Sequence, residues 1–141
     1  MKVMTDFIEV ESGGRGHYED ITDEVARIVE KSGIDDGVVI LHEMHTTAAL
    51  VIQEADEDVH RDTMDVMDEI VPSNRKYRHI YEGPSNATAH IKNQIMGSNL
   101  SIPVMDGKMT LGTWQRIFLV ELFEKRRRRV AVVVMGTHSS T

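Results

Sequence analysis

A chain of 141 residues has the length of one ordinary domain, enough to bury a single core without covalent staples. With 40% hydrophobic and 28% charged residues it has the composition of a soluble globular protein, and a formal net charge of -7 disfavours general binding to phosphodiester backbones. Cysteine is absent, which excludes disulfides and thiolate chemistry and leaves His, Asp and Glu to hold any metal.

Val3 to Val10 (VMTDFIEV) is rich in β-branched residues and reads as a strand. The opening MKVMTDFIEVESGG lacks the apolar block of a signal peptide, so the expected compartment is the cytoplasm. Thr22 to Gly33 reads as an amphipathic helix: Thr22 is a capping residue, Val25, Ile28 and Val29 form the apolar face, and Gly33 stops it.

Gly37 to Met44 is the next strand. Alternation places Leu41, Glu43 and His45 on one face and Ile40, His42 and Met44 on the other. Thr46-Thr47 interrupts the apolar run, which resumes from Ala48 to Ile52, so a bend, bulge or tight reversal is expected there, with His45 at the rim of a sheet. Glu54 marks that strand's exit into solvent or a functional carboxylate. A second helix is expected from about Asp58 to Val71, with Val59, Thr63, Val66, Met67 and Ile70 on its apolar face and Pro72-Ser73-Asn74 ending it. Its acidic stripe of Asp58, Asp62, Asp65 and Glu69 is either a solvated face or a cation site.

A third helix spans Asn86 to Met96, capped by Ser85 or Asn86 after Gly83-Pro84 and ended by Gly97. Asn86, His90, Asn93 and Gly97 share one stripe, away from the apolar Ala87, Ile91 and Ile95. Leu100 to Val104, Thr113 to Glu121 and Arg129 to Met135 are strands. Val130 to Met135, among the longest apolar runs, is far short of the roughly 20 residues of a spanning helix. The basic run Lys125 to Arg129 reads as a hairpin turn with solvated guanidinium groups, or else as an anion patch. Strands and helices in the order β, α, β, β, α, α, β, β, β lack strict alternation, which points to one α+β domain over 1–141.

Three places carry polarity that folding alone does not require. The first is His45 with Thr46 and Thr47. The second is the turn before the third helix, whose first backbone N–H groups suit a phosphate, with His79 just upstream and His90 one turn in. His45, His79 and His90 converging would make a tris-imidazole site with an open position, although their scattered spacing does not demand it. The third is Gly112 to Glu121. There Thr113, Gln115, Ile117, Leu119 and Glu121 share a strand face; Glu121, if buried without a cation, becomes a proton carrier, and beside a metal or an arginine it stays charged.

HTTAAL at His45 to Leu50, the EG turn at Glu82-Gly83, AHIK at Ala89 to Lys92, MG at Met96-Gly97, IPV-x-x-G at Ile102 to Gly107 and LGTWQ at Leu111 to Gln115 together resemble the YjbQ-like family, from about Gly16 to Gly136. The resemblance implies an α+β subunit with antiparallel or mixed sheet layers and about three helices, assembled as a homotrimer with its polar clusters near subunit boundaries. It implies a secondary thiamine-phosphate synthase activity, coupling hydroxymethylpyrimidine diphosphate to thiazole phosphate.

On that basis His45, His79 and His90 are expected to bind a divalent metal: zinc, or magnesium with a diphosphate substrate. Thr46, Thr47, Asn86, Gly112, Thr113, Trp114 and Gln115 are expected to bind substrate, and Glu54 and Glu121 to manage protons. The same constellation would serve a metal-dependent hydrolase of a small phosphorylated substrate or a non-catalytic trimeric ligand-binding module. Neither nucleic acid nor membrane is an expected partner. The chain departs from the family at Gln53, in its short acidic loop, at Gly136-Thr137-His138 and at Arg116, which replaces a customary glycine and is open to a role as an anion contact.

Overall fold

Residues 1–139 are described by the computed structural model; the last two residues of the expected domain lie outside them. The elements are β1 (Lys2–Glu11), β2 (Tyr18–Asp20), α1 (Thr22–Ser32), β3 (Asp36–Glu43), β4 (Ala48–Gln53), α2 (Glu57–Ile70), α3 (Pro84–Met96), β5 (Asn99–Met105), β6 (Lys108–Met109), β7 (Arg116–Glu121) and β8 (Arg127–Thr137). They build an α+β domain of two sheets, ordered β1-β8-β3-β5-β6 and β2-β7-β4, in which every strand pair is antiparallel. The short β2 and β6 carry no periodicity that a sequence could reveal. Among the described residues no helix is long and apolar enough to cross a membrane.

Period-two alternation explains how the sheets face each other. Val39 and Leu41 of β3 and Val130, Val132 and Val134 of β8 point inward against Leu50 of β4 and Ile117 and Leu119 of β7, and Val25, Ile28 and Val29 of α1 join the same core. Each such side chain, fully buried, stabilises the fold by about 1.5–3 kcal/mol. The opposite face of the small sheet presents Ala49, Val51 and Val120 to Ala89 and Met96 of α3 and Met64 of α2. The small sheet is therefore covered on both sides, by the large sheet and by two helices.

Helix ends follow local chemistry, with adjustments. Gly33 closes α1 at φ 69, as its position predicts. Thr22 does not cap α1; its N–H donates to Asp20 Oδ1 at 2.9 Å, and its hydroxyl accepts from Ile117 N–H at 2.8 Å. Asp56 caps α2, and α3 starts at Pro84 behind Gly83 instead of at Ser85 or Asn86.

Both later helices are rolled relative to the expected faces. In α2, Met67 is buried while Val66 and Ile70 are exposed; in α3, Asn86, Ala87, Thr88, Ala89 and Lys92 are buried while Ile95 is exposed. The small side chain of Ala89 lets α3 lie close on Ala49, and the buried polar groups find partners, such as Lys92 Nζ with Asp68 at 2.5 Å. The basic run is also corrected. Arg127 to Arg129 belong to β8, with Arg127 and Arg129 facing outward to Glu11 and Glu9 and Arg128 facing inward, 2% exposed. Finally, β7 begins at Arg116, because Thr113 to Gln115 form a turn closed by Gly112 N–H donating to Gln115 Oε1 at 2.8 Å.

Candidate functional site

Between β3 and β4 the chain reverses through Met44-His45-Thr46-Thr47, the bend expected from the threonine pair. Long-range contacts with the start of β8 hold it. Arg128 Nη2 donates to Thr47 Oγ1 at 3.0 Å, and Arg129 N–H donates to His45 Nε2 at 2.8 Å. Within the bend, His45 N–H donates to Glu43 Oε1 at 2.8 Å. Thr47 is buried and Thr46 is exposed. Burial, reinforced by the Arg128 charge, holds the His45 imidazole below its ordinary pKa, so the ring is neutral at pH 7.

Beneath the bend lies an ion pair that neither exposure nor solvent weakens. Arg128 reaches Glu121 through Nε–Oε1 at 2.8 Å and Nη2–Oε2 at 2.5 Å, while Ser12 Oγ and Phe123 N–H also donate to that carboxylate. Burial alone would push Glu121 upward; the hydrogen bonds from Arg128, Ser12 and Phe123 outweigh it and hold the carboxyl below its usual range. Glu121 thus takes the arginine-paired course of the two open to it, with both oxygens committed to holding the fold.

The bend, α3 and β1 enclose a cleft of about 480 Å³ lined by Phe7, Glu43, His45, Thr46, Asn93 and Ser98, among others. Asn93 Nδ2 donates to Ala48 O at 2.8 Å and Ser98 Oγ at 2.9 Å, and lies 3.4 Å from Glu43 Oε2. Glu43 is 1% exposed and forms no ion pair among the described residues; Arg128 pairs with Glu121 instead. Burial, aided by the neighbouring Glu121 charge, raises it to about 7 against the weaker pull of Ser98, His45 N–H and Arg128. Alternation had already put Glu43 on the row of buried Leu41. A carboxylate on an inward row is the available signal, and it marks Glu43 as well as Glu121, although only Glu121 is weighed on it above.

The sign of the Glu43 effect on stability follows directly. Its folded-state value lies above the unfolded one of 4.5, so its favourable contribution is full below pH 4.5 and is lost as pH rises through about 7. Glu43→Gln keeps a neutral side chain at all pH. It is expected to raise stability at pH 8 relative to wild type by up to about 3 kcal/mol and to leave it little changed at pH 4.5. Urea unfolding of both proteins across that range checks it; parallel curves would refute it.

A second cluster gathers at the start of α3. His79 and His90 pack edge to face with ring centroids 4.7 Å apart, and Tyr81 meets His79 at 5.0 Å. Burial first, and the His79 charge second, hold His90 below its ordinary pKa. Asn86, one turn before His90, is 2% exposed, and its Oδ1 accepts no hydrogen bond among the described residues. Two of the three expected imidazoles therefore meet. His45 does not join them: among the described residues no group of three or more His, Asp or Glu side chains is placed to hold a metal, and the Nε2 of His45 is occupied by Arg129 N–H.

The other expected residues sit elsewhere. In the β4–β7 ladder Ala48 pairs with Glu121 and Gln53 with Arg116, so Glu54 and the Gly112 to Gln115 turn lie at the far end from Thr47, beyond a ladder that spans about 17 Å at 3.4 Å per residue. Trp114 is 71% exposed there. Arg116 is not free for an anion, since Asp20 holds it at 2.7 Å and Asp23 at 3.3 Å. The acidic stripe of α2 is solvent-exposed along Asp58, Asp62, Asp65 and Glu69.

Comparison with known proteins places these features in a group. The family described as "UPF0047 protein YjbQ-like" matches residues 6–137. A UPF0047 protein of Archaeoglobus fulgidus is 43% identical over 113 residues, 80% of this chain and 86% of its own. The UPF0047 protein YugU of Bacillus subtilis is 33% identical over 130 residues, 92% of this chain and 97% of its own. A crystal structure of a YbjQ-like protein of unknown function from Sulfolobus solfataricus P2 superposes with a TM-score of 0.89 at 36% identity, covering 96% of this chain and 99% of that one.

Proposed function

This chain belongs to the YjbQ-like UPF0047 family, and from that premise we propose that it is a thiamine-phosphate synthase-like transferase. In the reaction the thiazole nitrogen bonds to the methylene carbon of hydroxymethylpyrimidine diphosphate as the carbon–oxygen bond breaks and pyrophosphate leaves. The observation that carries the reading is the buried Asn86 amide, with its oxygen unpartnered, beside the His79–His90 pair at the N-terminus of the 13-residue α3. Backbone N–H groups at that end favour phosphoryl oxygens, and Asn86 orients what binds there.

The imidazoles of His79 and His90 suit a divalent metal, zinc or, with the diphosphate, magnesium, and the remaining positions fall to water and substrate oxygens. When bound, such an ion neutralises charge on the leaving diphosphate. His79 and His90 would hold it; Thr46 and Asn86 would orient substrate.

Glu54, Trp114 and Gln115 lie at the far end of the β4–β7 ladder from Thr47, and in this reading they are supplied to the site by another copy. The proposed assembly is a homotrimer, which would also cover Ile80, 56% exposed, Tyr81, 86% exposed, and Trp114. In it Trp114 would stack on the developing pyrimidinyl cation and the Glu54 carboxylate would offset its charge. The proposed compartment is the cytoplasm, where charged phosphate esters are retained.

The test combines product formation with metal content. Wild type is expected to form thiamine phosphate from the two precursors and to carry zinc. His79→Ala and His90→Ala are each expected to lose at least about 10-fold in zinc affinity and in rate. Equal zinc content in all three would defeat the metal, and hydrolysis of simple phosphoesters with no coupling would replace the transferase by a hydrolase.

A further inference from the structure

The place of His45 in the fold does not suit a metal ligand, and it defines another task. The paired ladder of β3 and β8 ends at Glu43 opposite Val130. One residue further on, Met44 N–H donates to Arg129 O at 3.2 Å, and Arg129 N–H donates to His45 Nε2 at 2.8 Å. The imidazole thus replaces a backbone carbonyl in the next rung. A backbone amide is always a donor, so the nitrogen that accepts from it carries no proton, and the neutral ring holds its proton on Nδ1. Ligation through Nε2 would require breaking that rung.

No acceptor among the described residues takes the Nδ1 proton. The ring lines the 480 Å³ cleft, and beside it stands the exposed Thr46, whose hydroxyl makes no hydrogen bond among the described residues. We infer that His45 works as a neutral hydrogen-bond donor, its Nδ1–H directed with the Thr46 hydroxyl to a phosphoryl oxygen of the ligand, and that it is not a metal ligand. The phosphoryl identity of the acceptor rests on the transferase reading; the donor role of His45 rests on the hydrogen bonds alone.

Long-range proton–nitrogen NMR of the full ¹⁵N-labelled chain near neutral pH tests it, with His45→Gln identifying the signal. The expected spectrum has His45 Nδ1 protonated and Nε2 unprotonated. Zinc alone should shift His79 and His90 and leave His45 unmoved, whereas inorganic pyrophosphate should shift His45 Nδ1. A proton on Nε2, or a zinc-induced shift at His45 Nε2, overturns the inference.

Two substitutions give a second reading. An asparagine amide nitrogen overlies Nδ1 and a glutamine side-chain end overlies Nε2, so His45→Asn should keep pyrophosphate affinity within about 3-fold while His45→Gln loses about 10-fold. The reverse order overturns it. If wild type binds no pyrophosphate yet shows Nδ1 protonated, the phosphate reading falls and the donor assignment stands.

Discussion

Arg128→Met is expected to lower the unfolding free energy by about 3–5 kcal/mol, enough to threaten folding at physiological temperature. The cause is the carboxylate left behind. Glu121 is 0% exposed, and losing the guanidinium leaves its charge to the hydrogen bonds from Ser12 and Phe123 N–H. Thr47 also loses its contact with Arg128, so the bend that carries His45 loosens with the core.

Guanidinium unfolding curves measure this, and the double variant Arg128→Met/Glu121→Leu separates the two effects. Removing both charges should restore most of the stability, because the main penalty is an unpaired buried ion and a matched apolar pair carries none. The pair also acts on the acid side. Folding depresses the Glu121 carboxyl, so its contribution is present above its unfolded pKa and is lost as pH falls through the folded value. Arg127→Met, on the exposed face of the same strand, should change stability little. A loss below about 1 kcal/mol for Arg128→Met would contradict the burial of this pair.

Gly136→Ala is expected to be comparably damaging, at about 3 kcal/mol or more, with loss of soluble protein as its first sign. Gly37 of β3 and Gly136 of β8 face each other in register. A Cβ on Gly136 would overlap the Asp36 carbonyl oxygen and lie 2.7 Å from Gly37 Cα; one on Gly37 would overlap the Met135 carbonyl oxygen and lie 2.7 Å from Gly136 Cα. These neighbours are backbone, so no side chain can swing aside, and the two strands must part where β8 also pairs with β1. Gly14→Ala is the matched control, since a Cβ there meets nothing within 4 Å. Similar midpoints for Gly136→Ala and Gly14→Ala would show that the strands do not approach this closely.

The reliable parts of the sequence reading were those in which a local pattern carries its own physics. The helix from Thr22 to Gly33, the strand rows through Leu41 and Glu43, the reversal at the threonines and the α+β class rest on periodicity, turn chemistry and capping over a few consecutive residues. Even so, periodicity misjudged the rotation of α2 and α3, because the inward side of a helix is set by what it packs against. Ile95 and Val66 are exposed because the small sheet receives Ala89 and Met64.

What the linear chain determined by itself was the menu of elements, the absence of thiolate chemistry, and the residues with polarity to explain. Tertiary structure alone decided how those residues are used. It joined Arg128 to Glu121 across a turn, set His79 against His90, tied His45 to Arg129 away from them, and sent Trp114 and Gln115 to the far end of the ladder. The reason is that the roles of ionisable groups depend on burial and on partners brought from distant segments, and neither is encoded in the spacing of neighbours along a chain.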